Sequence, residues 1–332
     1  MEHWYDWLHM CATDEATPCV SVDQLAFIAI SVVFLVAAIL LARRARDFST
    51  ATLSLMPAAI AINIAAGSLM YALRLPLYLD SVGTVLVGVL AGPWAGAMTG
   101  ILANFIWSFL PIPGGAGPIG AAFAPVAGVI GLMAGLWARS GILRVRAHDE
   151  RTSRRVAIAT FAWGWLVAGG LLRLLFAPNG YFSTVDGSDP KFLWGADLTG
   201  LTLADQAGLY LTWGTGALIG LILGYVIYRR HLVSLFPVWL AGGVTGIMAA
   251  TISAPIAAYV YGGVTGGGTD AIVALFRSAG LSIFQASFAQ GLTSDPLDKT
   301  ISFTVVFFIL AALPLTVKTL FPRGEQVVAP SP

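Results

Sequence analysis

Charged residues are scarce in this sequence. Asp, Glu, Lys and Arg together make up 11% of the 332 residues, less than half of the roughly 25% found in soluble globular domains. Hydrophobic residues reach 57%, and the mean hydropathy is +0.81. The formal net charge of +1 offers nothing that would attract nucleic acid. This composition excludes an ordinary soluble domain and predicts an all-α, polytopic membrane protein.

Cysteines are few and recognised catalytic motifs are missing. Cys11 and Cys19 both precede the first apolar stretch, where a disulfide and two free thiols are equally compatible with an external location. The sequence contains no CxxC pair, zinc-type Cys/His cluster, GxxxxGK[ST] loop, GxSxG or HExxH string. We therefore expect no metal, no cofactor and no enzymatic activity, and no ATP hydrolysis through a phosphate-binding loop.

Long apolar stretches alternate with basic clusters. The apolar stretches, long enough for membrane helices, are 24–42, 53–73, 81–110, 118–138, 156–176, 207–228, 234–261 and 298–317. Basic residues cluster near Arg46, between Arg139 and Arg155, at Arg229 and at Lys318. The positive-inside rule places these clusters in the cytoplasm. The N-terminal segment 1–23 is then outside, and the tail 323–332 is predicted to be cytoplasmic and disordered.

The Gly92-Pro93 pair interrupts the third stretch. Between Arg46 and Arg139 the chain must cross the membrane an even number of times if both ends are cytoplasmic, but three stretches lie there. A turn at Gly92-Pro93 would convert 81–110 into two short helices and restore the parity. The alternative is one long helix kinked at Pro93. We favour the turn.

Small residues recur every four positions in two places. They are Gly88, Gly92, Gly96, Gly100, Asn104 and Ser108, and then Gly242, Gly246, Ala250, Ala254, Ala258 and Gly262. Such faces pack helices closely, either within the chain or against a partner. The strings LAGPWAGAMTGILANF and LAGGVTGIMAATISAP start alike, which suggests an internal repeat with halves at about 47–150 and 151–322. Chance alignment of glycine-rich sequence is the alternative.

Several polar and aromatic residues near the outer side are candidates for substrate binding. Asp80 begins a short helix, where it could cap the N-terminus or meet a substrate amine. An amide and an indole in the outer half of a helix suit binding of a small planar ligand, although Asn104 could also join two helices. The predicted substrate-binding set is Asp80, Asn104, Trp107, Tyr181, Tyr261 and Asp270.

The C-terminal part carries two further expectations. The stretch 271–290 is a weakly amphipathic helix that lies near the outer surface or dips into the membrane and returns. Asp298 and Lys299 are predicted to open the last helix. A lysine is unfavourable at a helix N-terminus, so we expect Lys299 to have a partner.

The run LRLPLYLDSVGTVLVGVLAGPWAGAMTGILANF, followed by GPIGAAFAPVAGVIGLMAGLWAR, resembles the S component of energy-coupling factor (ECF) transporters. The features that match are a helix into a Leu-Pro turn, a short helix, a Gly-Pro turn, a small-residue helix and a second Gly-Pro. The resemblance covers about residues 53–138. It implies a helical bundle at 47–322 in a prokaryotic plasma membrane, and the helix at 24–46 is an addition to the usual six.

The resemblance also implies a function and partners. An S component captures a micronutrient from outside and delivers it with a transmembrane T subunit and two cytoplasmic ATPases. Small residues expected at the partner interface are Ala58, Ala61, Ala65, Gly96 and Gly100. Metal-type members need a histidine-rich N-terminus. Near the N-terminus this sequence has only His3 and His9, so a small organic nutrient is expected. A membrane-embedded sensor and an independent secondary carrier are the alternatives.

Overall fold

The computed structural model describes residues 47–144, 150–176, 203–229 and 233–327, with six helical positions between 32 and 44. These six positions lie within the predicted extra helix at 24–46, whereas segment 1–23, including Cys11 and Cys19, lies outside the described residues. The described part contains helices and no strands. The α-helices are α1 (Thr50–Ala72), α2 (Val82–Ala91), α3 (Pro93–Ser108), α4 (Ala124–Arg139), α5 (Glu150–Phe176), α6 (Leu203–Arg229), α7 (Leu235–Tyr259), α8 (Asp270–Ser278), α9 (Ile283–Ala312) and α10 (Leu315–Lys318).

Four of the described helices are long and apolar enough to cross a membrane. They are Thr50–Ala72, Ile119–Arg139, Tyr210–Arg229 and Leu235–Tyr259. The large apolar side chains on their outer faces are exposed, as for Leu221 at 59% and Leu240 at 59%. Apolar side chains that would be costly in water are favourable against lipid. The chain is accordingly a helical membrane protein.

The break at Gly92-Pro93 is present. Gly92 has φ +103° and ψ 171°, and Pro93 is the first residue of α3. With ten residues, α2 is about 15 Å long, and every residue from Val82 to Leu90 is buried. The short helix is thus surrounded by protein, as a segment too short to span a bilayer requires.

Residues after 322 complete the C-terminal end of α2. The Arg323 backbone N–H donates to the Leu90 carbonyl at 2.9 Å, which satisfies one of the carbonyls left open where the helix stops. A 3₁₀ turn follows at Gly324–Val327. The expectation that the whole segment 323–332 is disordered is therefore wrong for residues 323–327, and residues 328–332 lie outside the described part.

The small-residue face of α3 packs within the chain. A Cβ added to Gly96 would lie 2.7 Å from the Gly131 carbonyl oxygen in α4, and one on Gly100 would collide with Ala127. Both glycines are buried. This close backbone contact is the usual role of small-residue faces in membranes. The assignment of Gly96 and Gly100 to a partner interface is corrected by this packing, because α4 already covers them.

A buried amide joins α1 to the start of α2. Asn63 Nδ2 donates to Thr84 Oγ1 at 2.7 Å, and Asn63 Oδ1 accepts from the Gly83 N–H at 2.7 Å. Both groups of the amide are used. The Gly83 N–H is one of the donors that a helix start leaves open, so this side chain both caps α2 and fixes its distance from α1.

The longest helix, α9, corrects the prediction for the C-terminal part. It begins at Ile283, where Ser282 Oγ accepts from the Gln285 N–H at 3.3 Å and Gln285 Oε1 accepts from the Ser282 N–H at 2.9 Å. This reciprocal pair is a capping box. Asp298 and Lys299 therefore lie in the middle of a helix and do not open one. The stretch 271–290 is divided between α8 and α9.

Helices α7 and α9 pack along their small residues. A Cβ on Gly242 would lie 2.6 Å from Thr300 Cα, and Gly246 is in close contact with Pro296. In the predicted repeat, the string that starts at Leu240 lies inside the continuous α7, whereas the one that starts at Leu90 is broken at Gly92. The two strings thus differ in backbone conformation, and the repeat stays a prediction.

One hydrophobic core connects the two predicted halves. It contains Val85 from α2 and Ile130 from α4 together with Val238 from α7 and Phe303 from α9. Helices α5 and α6 pack on each other, with Gly164 opposite Gly220, and Ile227 at the end of α6 joins the same core. The described residues of both halves are therefore built around shared apolar contacts.

Replacing Gly92 by Ala tests the break between α2 and α3. A backbone with φ +103° and ψ 171° is essentially restricted to glycine, so we expect Gly92→Ala to lower the free energy of unfolding by about 1–3 kcal/mol. The control is Gly243→Ala in α7, where a Cβ would be 3.9 Å from Thr300 Oγ1. Denaturant unfolding in detergent should show a loss only for Gly92→Ala. Equal stability of both variants would contradict the assigned conformation.

Candidate functional site

A cavity of about 150 Å³ lies where several helix ends meet. Its walls come from α1, the segment between α1 and α2, and the outer half of α3. The start of α4, the end of α7 and the middle of α9 complete it, together with the glycine-rich loops after α3 and α7. The charge pattern of the sequence predicts that this end of the bundle faces outside, and the orientation stays a prediction. Cavities between helices of a bundle are common ligand sites.

Aromatic rings form much of the wall. Phe123 and Tyr261 stack with centroids 5.1 Å apart, and Tyr71, Tyr78 and Trp107 also line the cavity. Glycine makes room for the indole, because a Cβ on Gly67 would lie 2.6 Å from the Trp107 ring. The Trp107 Nε1–H donates to the Pro113 carbonyl at 3.1 Å, which leaves the ring faces to make apolar contact.

A buried ionic cluster forms the floor of the cavity. Lys299 Nζ lies 2.6 Å from Asp298 Oδ2 and 3.3 Å from Asp80 Oδ1. Lys299 and Asp298 are 3% and 0% exposed, whereas the Asp80 side chain is 29% exposed. Asp295, one helical turn before Lys299, is 4% exposed and also lines the cavity. The partner expected for Lys299 is therefore Asp298, with Asp80 as the second.

Asp298 also holds the segment between α1 and α2. Its Oδ1 accepts from the N–H groups of Tyr78 at 2.9 Å and Leu79 at 2.7 Å. Leu79 has φ +49°, a conformation that is costly for a branched residue unless its surroundings hold it. One carboxylate thus neutralises Lys299 and positions the segment that carries Asp80.

Tyr78 extends this network across the cavity. Its hydroxyl donates to Thr269 Oγ1 at 3.3 Å and accepts from Gln290 Nε2 at 3.3 Å. The Tyr78 ring lies 5.8 Å from Lys299 Nζ, within cation–π range. Burial, followed by the nearby charge of Asp295, raises the pKa of the Tyr78 hydroxyl. The group therefore remains a neutral donor at physiological pH.

The structure brings four of the six predicted binding residues together. Asp80, Asn104, Trp107 and Tyr261 all line the cavity. Their role in binding stays a prediction.

The other two predicted residues have different positions. Asp270 does not line the cavity. Its Oδ1 accepts from the Thr265 N–H at 2.9 Å and its Oδ2 from the Gly266 N–H at 2.6 Å, which holds the glycine-rich loop in shape. Tyr181 lies outside the described residues.

Sequence reasoning missed Asp295 and Gln290. A usable signal was present, because Asp295, Asp298 and Lys299 have the spacing i, i+3 and i+4 that places residues on one helix face. Assigning Asp298 and Lys299 to a helix start concealed it. Gln290 ends the stretch 271–290, which the sequence predicts to lie near the outer surface or to dip into the membrane and return. The residue is 5% exposed, and its Nε2 donates to Ser294 Oγ at 2.6 Å.

Comparisons with known protein families, with curated proteins and with solved structures found no match to this chain.

The side chains of Asn63 and Asn104 provide a matched test of which amide stabilises the fold. Asn63 has both ends bonded, whereas Asn104 Oδ1 is buried without a partner among the described residues. We expect Asn63→Ala to lower the free energy of unfolding by about 1–3 kcal/mol, because Gly83 and Thr84 lose their partners. Asn104→Ala should change it by less than about 0.5 kcal/mol. Unfolding in detergent measures both, and equal losses would contradict a free amide at Asn104.

Removing the Asp298 side chain tests the ionic floor. Asp298→Ala removes the carboxylate closest to Lys299 and leaves two backbone N–H groups without an acceptor, so we expect a loss of about 3 kcal/mol of unfolding free energy. Asp298→Asn retains an acceptor for Tyr78 and Leu79 and should lose less. Asp47→Ala, at an exposed position, is the control. An unfolding midpoint for Asp298→Ala equal to that of Asp47→Ala would show that the cluster contributes nothing to stability.

Proposed function

We propose that this chain is the substrate-binding membrane subunit of an ECF-type importer, and that it captures a small organic micronutrient from outside the cell. The observation that carries the proposal is the cavity of about 150 Å³ at the predicted outer end of the bundle. Aromatic rings and a few convergent polar groups line it, which is the usual composition of small-molecule sites. The part of the chain that resembles S components supplies α1, the segment after it, α3 and the start of α4 to the walls.

The short, buried α2 and the Gly-Pro break support this proposal. In the resemblance they belong to the membrane core of an S component, and here they position Asp80 at one end and the small-residue face of α3 at the other. Fold-level analogy alone would be a weak argument for function. The argument is strengthened because the same elements that carry the resemblance also enclose the cavity.

One face of α1 is available to a partner. Ala58, Ala61 and Ala65 are exposed and lie three or four residues apart, so they share one side of the helix. Small side chains allow a partner helix to approach closely in lipid. In the proposal this face meets the T subunit, and the two cytoplasmic ATPases then drive the release of the captured nutrient to the inside.

Bulky substitution on this face tests the partner assignment. We expect Ala61→Leu to reduce recovery of a T-type subunit and two ATPases about fivefold or more when the tagged chain is purified from its host in mild detergent, because an overpacked helix contact costs about 1–3 kcal/mol. Ala162→Leu, an exposed position on α5, is the control. Recovery of the chain without ATPases under conditions that preserve complexes would argue against the importer.

A secondary carrier is the second candidate, and the ionic cluster favours it. Ionisable side chains at membrane depth often mark ion or substrate pathways, and Asp295, Asp298 and Lys299 lie near the middle of α9. Uptake by proteoliposomes that contain only the purified chain, without ATP, would favour the carrier. Uptake that requires the ATPases would favour the importer.

A further inference from the structure

The buried charges at the cavity do not balance. Three carboxylates surround the ammonium group of Lys299. Those of Asp80 and Asp295 line the cavity, whereas Asp298 is fully buried and is not part of its lining. Lys299 is the one cationic side chain among the described residues that line the cavity. With all four groups ionised, the cluster carries two excess negative charges. Uncompensated charge is costly in a buried membrane site, so the cluster is stabilised when a proton or a cation in the cavity neutralises part of it.

Structural contacts occupy Lys299 and Asp298. Asp298 uses one oxygen for two backbone N–H groups and the other for Lys299. The excess negative charge therefore falls on the remaining two carboxylates, which face the cavity.

Asp295 interacts electrostatically with Lys299 but forms few direct contacts. Within the described residues it accepts one long hydrogen bond, 3.5 Å from Ser253 Oγ, although the residue is only 4% exposed. A buried carboxylate normally has two or three donors or a cation beside it. Asp80 shares Lys299 at 3.3 Å through one oxygen and makes no other hydrogen bond within the described part. Both carboxylates thus offer acceptors to the cavity.

The remaining lining indicates what else the occupant must have. Asn104 Oδ1 is a further buried acceptor without a partner among the described residues. The aromatic wall of Trp107, Phe123 and Tyr261 suits an apolar body and attracts cations through the ring faces. A cavity of about 150 Å³ is the size that admits a single six-membered ring. Among the described residues, no group of three or more His, Cys, Asp or Glu is placed to hold a metal ion.

We infer that the cavity binds a small organic cation, with its protonated nitrogen at Asp295 and Asp80 and a ring-sized apolar body against the aromatic wall. As an account of the nutrient, the inference rests on the proposed function and narrows that nutrient to an amine or a similar nitrogen cation. The binding itself is argued from the cavity alone, so a carrier or a sensor with the same site would bind the same class of ligand.

The test uses the purified full chain in detergent with benzylammonium chloride at 10 mM as the probe. Benzyl alcohol and sodium benzoate serve as neutral and anionic probes of similar shape, and sodium and magnesium chloride control for the ions. We expect benzylammonium alone to raise the melting temperature. Asp295→Asn should weaken its affinity about 30-fold or more, because one charged partner is lost. Asp47→Asn, an exposed carboxylate outside the cavity, should retain it.

A second readout separates binding from folding. Without the probe, Asp295→Asn should be at least as stable as the parent, because one of three mutually repelling carboxylates is removed. If that variant does not fold, Asp80→Asn replaces it, with the same expected loss of benzylammonium binding. Stabilisation by benzyl alcohol or benzoate equal to that by benzylammonium would overturn the inference. So would stabilisation by magnesium alone, absence of any effect of the amine, or full retention of its effect in both Asn variants.

Failure of this inference is distinguishable from failure of the proposed function. The binding test requires no T subunit and no ATPase, whereas the importer is tested by their recovery and by ATP-dependent uptake. Amine binding by a chain that recovers no T subunit and no ATPase would support the inference and contradict the importer. Recovery of these partners by a chain without amine selectivity would support the importer and contradict the inference.

Discussion

The buried pair of Lys299 and Asp298 joins the middle of α9 to the segment between α1 and α2. Two features depend on it. The carboxylate holds Leu79 in an unusual backbone conformation, and the ammonium group fixes Asp80 at the cavity. A buried ion pair seldom adds much net stability compared with apolar residues. Its contribution here is to position these segments relative to one another.

Glycine determines how closely the surrounding helices approach. Contacts of Gly96 with α4 and of Gly246 with α9 bring backbones together where any side chain would separate them. In lipid there is little hydrophobic gain from helix association, so this dense packing must supply the attraction. The same close packing buries α2 from Val82 to Leu90 and leaves the cavity as a small space at one end of the bundle. Close helix packing at glycine therefore accounts for both the tight core and the polar cavity.

Much of the fold follows from local pattern. Apolar length predicted α1, α4, α6 and α7 within a few residues, and charge parity predicted the break at Gly92, since neither depends on distant contacts. The start of α9 and the order of residues 323–327 were not predicted. The sequence alone assigns Asp298 and Lys299 to a helix start because their partners, Asp80 and the segment before α2, are distant in sequence. Arg323 is held by the Leu90 carbonyl, which is also distant in sequence.

A helical membrane protein and the break at Gly92 could be predicted from the sequence, because apolar length, glycine and proline act over a few residues. That Asp80, Asn104, Trp107 and Tyr261 line one cavity, and which polar groups are satisfied, follow only from the tertiary structure. Asp80 and Lys299 are 219 positions apart, and nothing in either neighbourhood specifies that contact. The same holds for the two amides: Asn63 has both ends bonded and Asn104 has an open acceptor, because hydrogen bonding of a buried group depends on which segments pack beside it.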